Sequence, residues 1–198
     1  MKYINILKAR AAYERGDNVI ESLERDNENG TPGAEVIEVA YDLQAGSYTR
    51  LANADPDAYS ALAAEMTGLL VPHIQEGDRL LDAGTGEMTT LSLIMADERM
   101  PECQVGAFDV SWSRLHHGLK YWDQVNGSRL AKPRTFCSDM AAIPLRRDAV
   151  DIVMTSHALE PNGDKLAQLL EELFRICSRK LILFEPSYER NSPAGRDR

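Results

Sequence analysis

Five short runs in this 198-residue chain end in residues able to bind or react. The first, RLLDAG from Arg79, closes on Asp82 and runs into two glycines, Gly84 and Gly86, with Thr85 between them and Glu87 after them. Glycines there let the backbone turn tightly and approach a ligand closely, and a following helix presents unpaired N–H groups. CQVGAFDV closes on Asp109, RTFCSDM on Asp139 and Met140, VDIVMTSH on Ser156 and His157, and KLILFEPS on Glu185 to Ser187, with Tyr188 just beyond. Carboxylates accept hydrogen bonds from hydroxyl and amino groups, and a histidine beside them can take a proton near neutral pH.

The order of charges and glycines narrows the ligand. A dinucleotide turn needs G-x-G-x-x-G, its third glycine allowing close helix packing around a pyrophosphate. Thr89 stands at that third position. Asp82 and Glu87 also bracket the turn with negative charge, which opposes a pyrophosphate and suits a cationic amino acid. Asp109, closing the second run, can accept both hydroxyls of a ribose through its two oxygens; its competing role is N-cap of the helix starting near Ser111. His157 has three readings: a general base, a group that orients an acceptor, or a structural histidine at a strand end.

The stretch L-D-A-G-T-G-E, Leu81 to Glu87, resembles the first motif of class I S-adenosylmethionine-dependent methyltransferases, acid-x-Gly-x-Gly-x-Gly, with Met88 in place of the third glycine. The resemblance implies an α/β, Rossmann-like, mainly parallel sheet of order 3-2-1-4-5 with helices on both faces, and S-adenosylmethionine as cofactor. It assigns Asp82, Gly84, Thr85 and Gly86 to the cofactor at the turn that meets its methionine part, and Asp109 to its ribose. By the same resemblance, Asp139 is expected to accept from the adenine amino group while the N–H of Met140 meets a ring nitrogen. Ser156 joins the cofactor binders at the end of the fourth run, where the family lines its methyl-transfer site, and His157 is the candidate catalytic residue. The resemblance covers Arg79 to Ser187, about half the chain. Members usually add two strands after the fifth, and these are missing here. A short sheet, a completing partner and a fragment of a longer protein all remain open, and an unpaired fifth strand predicts a homodimer.

The elements that must hold these residues follow from periodicity. From Arg79 onward, apolar runs alternate with helical segments, which indicates a mainly parallel sheet. Leu91, Ile94 and Met95 mark one helix, and Leu115, Leu119 and Trp122 a second. Leu166, Leu169, Leu170, Leu173 and Phe174 mark a third, with Asn162 as N-cap. Pro144 in AAIPLRRDA argues against a long helix after the third run. Residues 1–70 read as an N-terminal helical cap and 71–198 as the cofactor-binding domain. In the cap, Ile37, Ala40, Tyr41 and Gln44 share a helical face that Gly46 ends, and a second helix runs from about Pro56 to Leu70. Tyr41, Tyr48 and Tyr59 are candidate walls of an acceptor pocket, or packing aromatics.

Composition bounds the rest. Against 22 Lys and Arg stand 31 Asp and Glu, a formal charge of -9, which disfavours a nucleic-acid partner. No stretch has the length and apolarity of a signal peptide or a membrane span, so a cytoplasmic protein is expected. Cys103, Cys137 and Cys177 read as small core residues in a reducing compartment rather than metal ligands, Trp112 and Trp122 as packing, and His116 and His117 as helix surface. The expected activity is methyl transfer to a small-molecule acceptor. The alternatives are a cofactor-binding module without transfer and a nicotinamide-dependent oxidoreductase.

Overall fold

A computed structural model describes residues 5–24, 34–160, 165–187 and 189. Strands β1 (Arg79–Ala83), β2 (Gln104–Asp109), β3 (Arg134–Cys137), β4 (Val150–Ser156) and β5 (Cys177–Phe184) form one sheet in the order β3-β2-β1-β4-β5. All four pairings are parallel, as the sequence reading predicts. The chain builds outward from β1 through β2 to β3, then crosses to β4 on the other side. That reversal opens a crevice at the carboxyl ends of β1 and β4, where ligands of such sheets bind.

Alternation along the strands divides the core into two layers. Leu80, Ala107, Ile152 and Met154 face helices α5 (Pro56–Leu70), α6 (Thr89–Ala96) and α7 (Trp112–Asn126). Leu81, Ala83, Phe108 and Val153 face α8 (Leu166–Ile176) and Ile143 of the helix-free connection after β3. At the opposite end of the sheet from the crevice, Arg79 fixes β1 against β4. Its backbone N and Nε each donate to Asp151 Oδ2 at 2.9 Å, and Nη2 donates to Oδ1 at 2.8 Å. Those bonds hold the Asp151 carboxyl well below the usual range.

Helices α1 (Ile6–Arg15), α2 (Val19–Glu24) and α3 (Ala34–Gln44) bury a small cluster of their own, with Ala9, Ala12, Val19 and Ala40 at its centre. The predicted α3 and α5 are present, and Asp55 caps α5, accepting from Ala58 N just before Pro56. Between them lies a helix that periodicity did not reveal, α4 (Ser47–Ala54).

Four expectations need correction. In α8 the inward face is Leu169, Leu173 and Ile176, while Leu166 and Phe174 are 43% and 64% exposed. Trp122 is buried, but Trp112 is 60% exposed and stacks on His116 with centroids 6.2 Å apart. Cys137 is exposed at the end of β3, whereas Cys103 and Cys177 are half-buried. His117 is no free surface residue: its ring lies where a Cβ on Gly46 would meet it at 2.9 Å. Asn162 and Tyr188 lie outside the described residues.

Candidate functional site

The turn after β1 is tied to β2. The N–H groups of Gly84 and Thr85 both donate to Phe108 O at 2.9 Å, and Met88 N closes the turn on Thr85 O at 3.0 Å. Gly84 has a φ of 72°, and a Cβ there would stand 2.5 Å from the Cβ of Ala158 and 3.1 Å from Met140 Cε. Glycine thus lets the β1 turn and the β4 loop approach as closely as they do. Met88, at the third glycine position of the motif, adopts a left-handed φ of 51° with its side chain fully buried. Gly118 of α7 leaves room for it, since a Cβ there would lie 2.9 Å from Met88 Cγ and from the Glu87 carbonyl carbon.

Two carboxylates stand at this turn. Asp82 is 3% exposed; Thr85 Oγ1 donates to its Oδ2 at 2.6 Å, and its Oδ1 is buried with no partner. Burial pushes its carboxyl up to about 7, the Thr85 bond opposing and the Asp109 charge adding to the rise. Asp109, 5% exposed at the end of β2, accepts from Gly86 N at 2.8 Å and from Ser111 N at 2.9 Å. Burial raises its pKa, while those two bonds and the Arg114 charge oppose the rise. The N-cap of α7 is Ser111, whose side chain accepts from Arg114 N at 3.1 Å. Asp109 is therefore not needed as the cap, and each of its oxygens keeps a further lone pair.

The remaining strand ends complete a cleft of about 630 Å³, including its open mouth. Gly84, Asp109, Asp139, Met140 and His157 line it. Asp82, Thr85 and Gly86 form the turn behind the lining, and Ser156 ends β4 without reaching it. Asp139 is exposed, and its Oδ1 accepts from Ala141 N at 2.9 Å. His157 is exposed at a φ of 52°, with its N–H donating to Phe184 O at 3.0 Å. Its loop is fixed from below by Glu185, which accepts from Ala158 N at 3.1 Å and Leu159 N at 3.3 Å.

Glu87 does not face the cleft, contrary to the reading that paired it with Asp82. Its buried carboxylate accepts from Gly46 N at 2.9 Å, Tyr48 N at 3.4 Å and Thr49 N at 2.8 Å, capping α4 from the sheet domain. Asp42 of α3 returns the favour, accepting from Ser111 Oγ at 2.5 Å and Ser113 N at 3.2 Å at the start of α7. The third link, which the sequence reading missed, is Arg114. Its guanidinium carbon lies 4.1 Å from the ring centroid of Tyr41 and 4.9 Å from that of Tyr48. Tyr41 and Arg114 line the cleft; Tyr48 and Tyr59 do not. Its burial left a signal, though its partners did not: residues 114, 115, 118, 121, 122 and 126 form the buried face of α7, and position 114 puts a cation on it.

The same architecture occurs in solved structures. Magnesium protoporphyrin IX methyltransferase from Synechocystis PCC 6803, with bound S-adenosylmethionine, superposes with a TM-score of 0.60 at 16% identity, over 78% of this chain and 77% of that one. A Methanococcus maripaludis protein proposed to be an S-adenosyl-L-methionine-dependent methyltransferase gives 0.57 at 16%, over 68% of this chain and 60% of that one. This chain has the class I methyltransferase fold. The class I fold also includes the (4+2)-cyclase SpnF, at a TM-score of 0.55 and 17% identity over 75% of this chain and 57% of that one. The chain thus spans less than two thirds of the length of the methanogen protein and of the cyclase. No family model matches the sequence, and no curated protein matches it. Among the described residues no helix is long and apolar enough to cross a membrane.

Proposed function

We propose that the protein binds S-adenosylmethionine and transfers its methyl group to a small-molecule acceptor. The observation that carries this reading is Asp109, held by Gly86 and Ser111 at the wall of the cleft with lone pairs left for two ribose hydroxyls. Two further observations suit the cofactor. The buried, unpartnered Oδ1 of Asp82 is an acceptor at the turn that would meet an ammonium, and Gly84 leaves open the space that a Cβ would close.

When bound, the cofactor supplies an electrophilic methyl carbon on a sulfonium. The chain's own share is positioning: Asp109 and Asp139 orient the nucleoside, the β1 turn fixes the amino-acid end, and the α3 side of the cap covers the cleft beside Tyr41. His157 stands at the cleft where it can take a proton from an acceptor of suitable pKa. The net charge of -9 supports a small acceptor over a nucleic acid. The place of β5 at the edge of the sheet among the described residues supports pairing with a second copy.

Calorimetry with S-adenosylhomocysteine and NAD tests the cofactor. S-adenosylhomocysteine is expected to bind and Asp109→Ala to weaken it about 10-fold to 100-fold, from the loss of charge-assisted hydrogen bonds. Binding of NAD alone would overturn the reading. A second reading, binding without transfer, draws on the exposed His157 ring, which has no hydrogen-bond partner among the described residues, and on the cyclase that shares the fold. Incorporation of labelled methyl groups into any acceptor separates the two.

A further inference from the structure

Arg114 carries a cation whose hydrogen-bonding edge the fold leaves unpaired. It is 7% exposed, and its Nε and Nη2 are both buried without a hydrogen-bond partner. Among the described residues no salt bridge joins it to Asp109, whose carboxylate on the cleft wall accepts instead from Gly86 N and Ser111 N and feels the Arg114 charge without bonding to it. The Tyr41 and Tyr48 rings offset part of that charge through their faces, yet they leave the edge N–H groups without an acceptor. A guanidinium buried this way is costly unless something pairs with it.

The two unpartnered atoms are not an arbitrary pair. Nε–H and Nη2–H point in parallel from one edge of the planar guanidinium, the edge that receives both oxygens of a carboxylate. Arg114 lines the cleft next to Asp109 and Tyr41, on the side that the cap covers. Tyr48, the more distant of the two rings, is 46% exposed.

Charge then selects the ligand. On the reading proposed above, the cofactor brings a sulfonium and an ammonium against one carboxylate, so it is a net cation. A net cation beside an unpaired guanidinium is repelled, whereas an anionic second ligand offsets both. We propose that Arg114 is a specificity-determining residue that binds a carboxylate of the acceptor, making the substrate class small carboxylic acids. This inference rests on the methyltransferase reading for the word acceptor, but the anion site itself does not.

The full chain saturated with S-adenosylhomocysteine is titrated with benzoate and succinate, and with benzamide and succinamide as neutral partners of the same shape. Carboxylates are expected to bind and amides not. Arg114→Lys should weaken carboxylate binding roughly tenfold, since a point charge replaces the fork, and Arg114→Met should abolish it. Each variant's melting temperature and S-adenosylhomocysteine affinity are measured alongside, so that a folding defect is recognised as such. Equal binding of acids and amides, or variants that bind carboxylates as the wild type does, overturns the proposal. So does a loss of S-adenosylhomocysteine affinity in Arg114→Met with methylthioadenosine unaffected, because Arg114 would then serve the cofactor's own carboxylate. If the wild type binds no S-adenosylhomocysteine, the methyltransferase reading fails by itself, and the same acids and amides on the free chain still decide Arg114.

Discussion

Asp82 has an ordinary carboxyl pKa of 3.8 that burial raises to about 7. Below 3.8 both folded and unfolded chains carry the proton, so Asp82 costs nothing. Between 3.8 and about 7 the folded state retains a proton that the unfolded state has released, so stability falls as pH rises and levels off above about 7. The full difference is on the order of 4 kcal/mol. Asp82→Asn is therefore expected to raise the stability of the ligand-free chain at pH 8 and to flatten its pH dependence from about 5 to 7, while weakening S-adenosylhomocysteine. Denaturant melts at several pH values check this; an unchanged pH slope in the variant would count against it. Gly84→Ala combines a positive φ with a Cβ 2.5 Å from Ala158 and should abolish cofactor binding even where the chain still folds, as read by calorimetry and circular dichroism. Asp82, Gly84 and Asp109 could be singled out from the sequence because strand ends and glycine turns are local features. The destinations of Glu87 and Arg114 could not, because their partners lie on helices far away in the chain and only tertiary packing brings them together.

Helix α4 shows the same non-locality in an entire element. Its first residue follows Gly46, which has no side chain to cap it, so SYTRLANA carries no start signal. The cap arrives from Glu87 of the β1 turn, which accepts from three N–H groups there. Glu87→Ala leaves those donors buried or half-buried without an acceptor and should cost about 2–4 kcal/mol, Glu87→Gln about half of that. Hydrogen exchange at Gly46, Tyr48 and Thr49 should accelerate in both; protection equal to wild type would show that the cap contributes nothing. The strands, α3 and α5 were readable because their apolar period is intrinsic to the segment. Gly118 illustrates packing winning over propensity: alanine there gains about 1 kcal/mol of helix preference. Its Cβ would lie 2.9 Å from the Glu87 backbone, which cannot yield as a flexible side chain does. Gly118→Ala is thus expected to lose about 1–2 kcal/mol net in denaturant melts.

Among the described residues the sheet order leaves β5 at one edge, and this edge is unevenly protected. At its start Arg179 is occupied with Asp78 and with Gln75 Oε1 at 3.1 Å, and Lys180 stands 3.0 Å from His73 Nδ1. Charged residues of this kind discourage edge-to-edge pairing. The second half, Leu181 to Phe184, carries no charge, and Leu183 is 42% exposed. Two copies running antiparallel about a two-fold axis between Ile182 and Leu183 would pair Leu181 with Phe184 and keep both basic pairs outside the ladder. Such a ladder is short, and two chains of charge -9 repel each other at range, so the dimer should be weak and should tighten with salt. Sedimentation at about 0.15 M and 1 M salt, where the screening length falls from about 8 to 3 Å, reads this directly. The wild type is expected to shift toward dimer as salt rises, and Leu183→Lys to stay monomeric with an unchanged melting temperature. A wild type that remains monomeric at both salts shows that the β5 edge does not pair with itself.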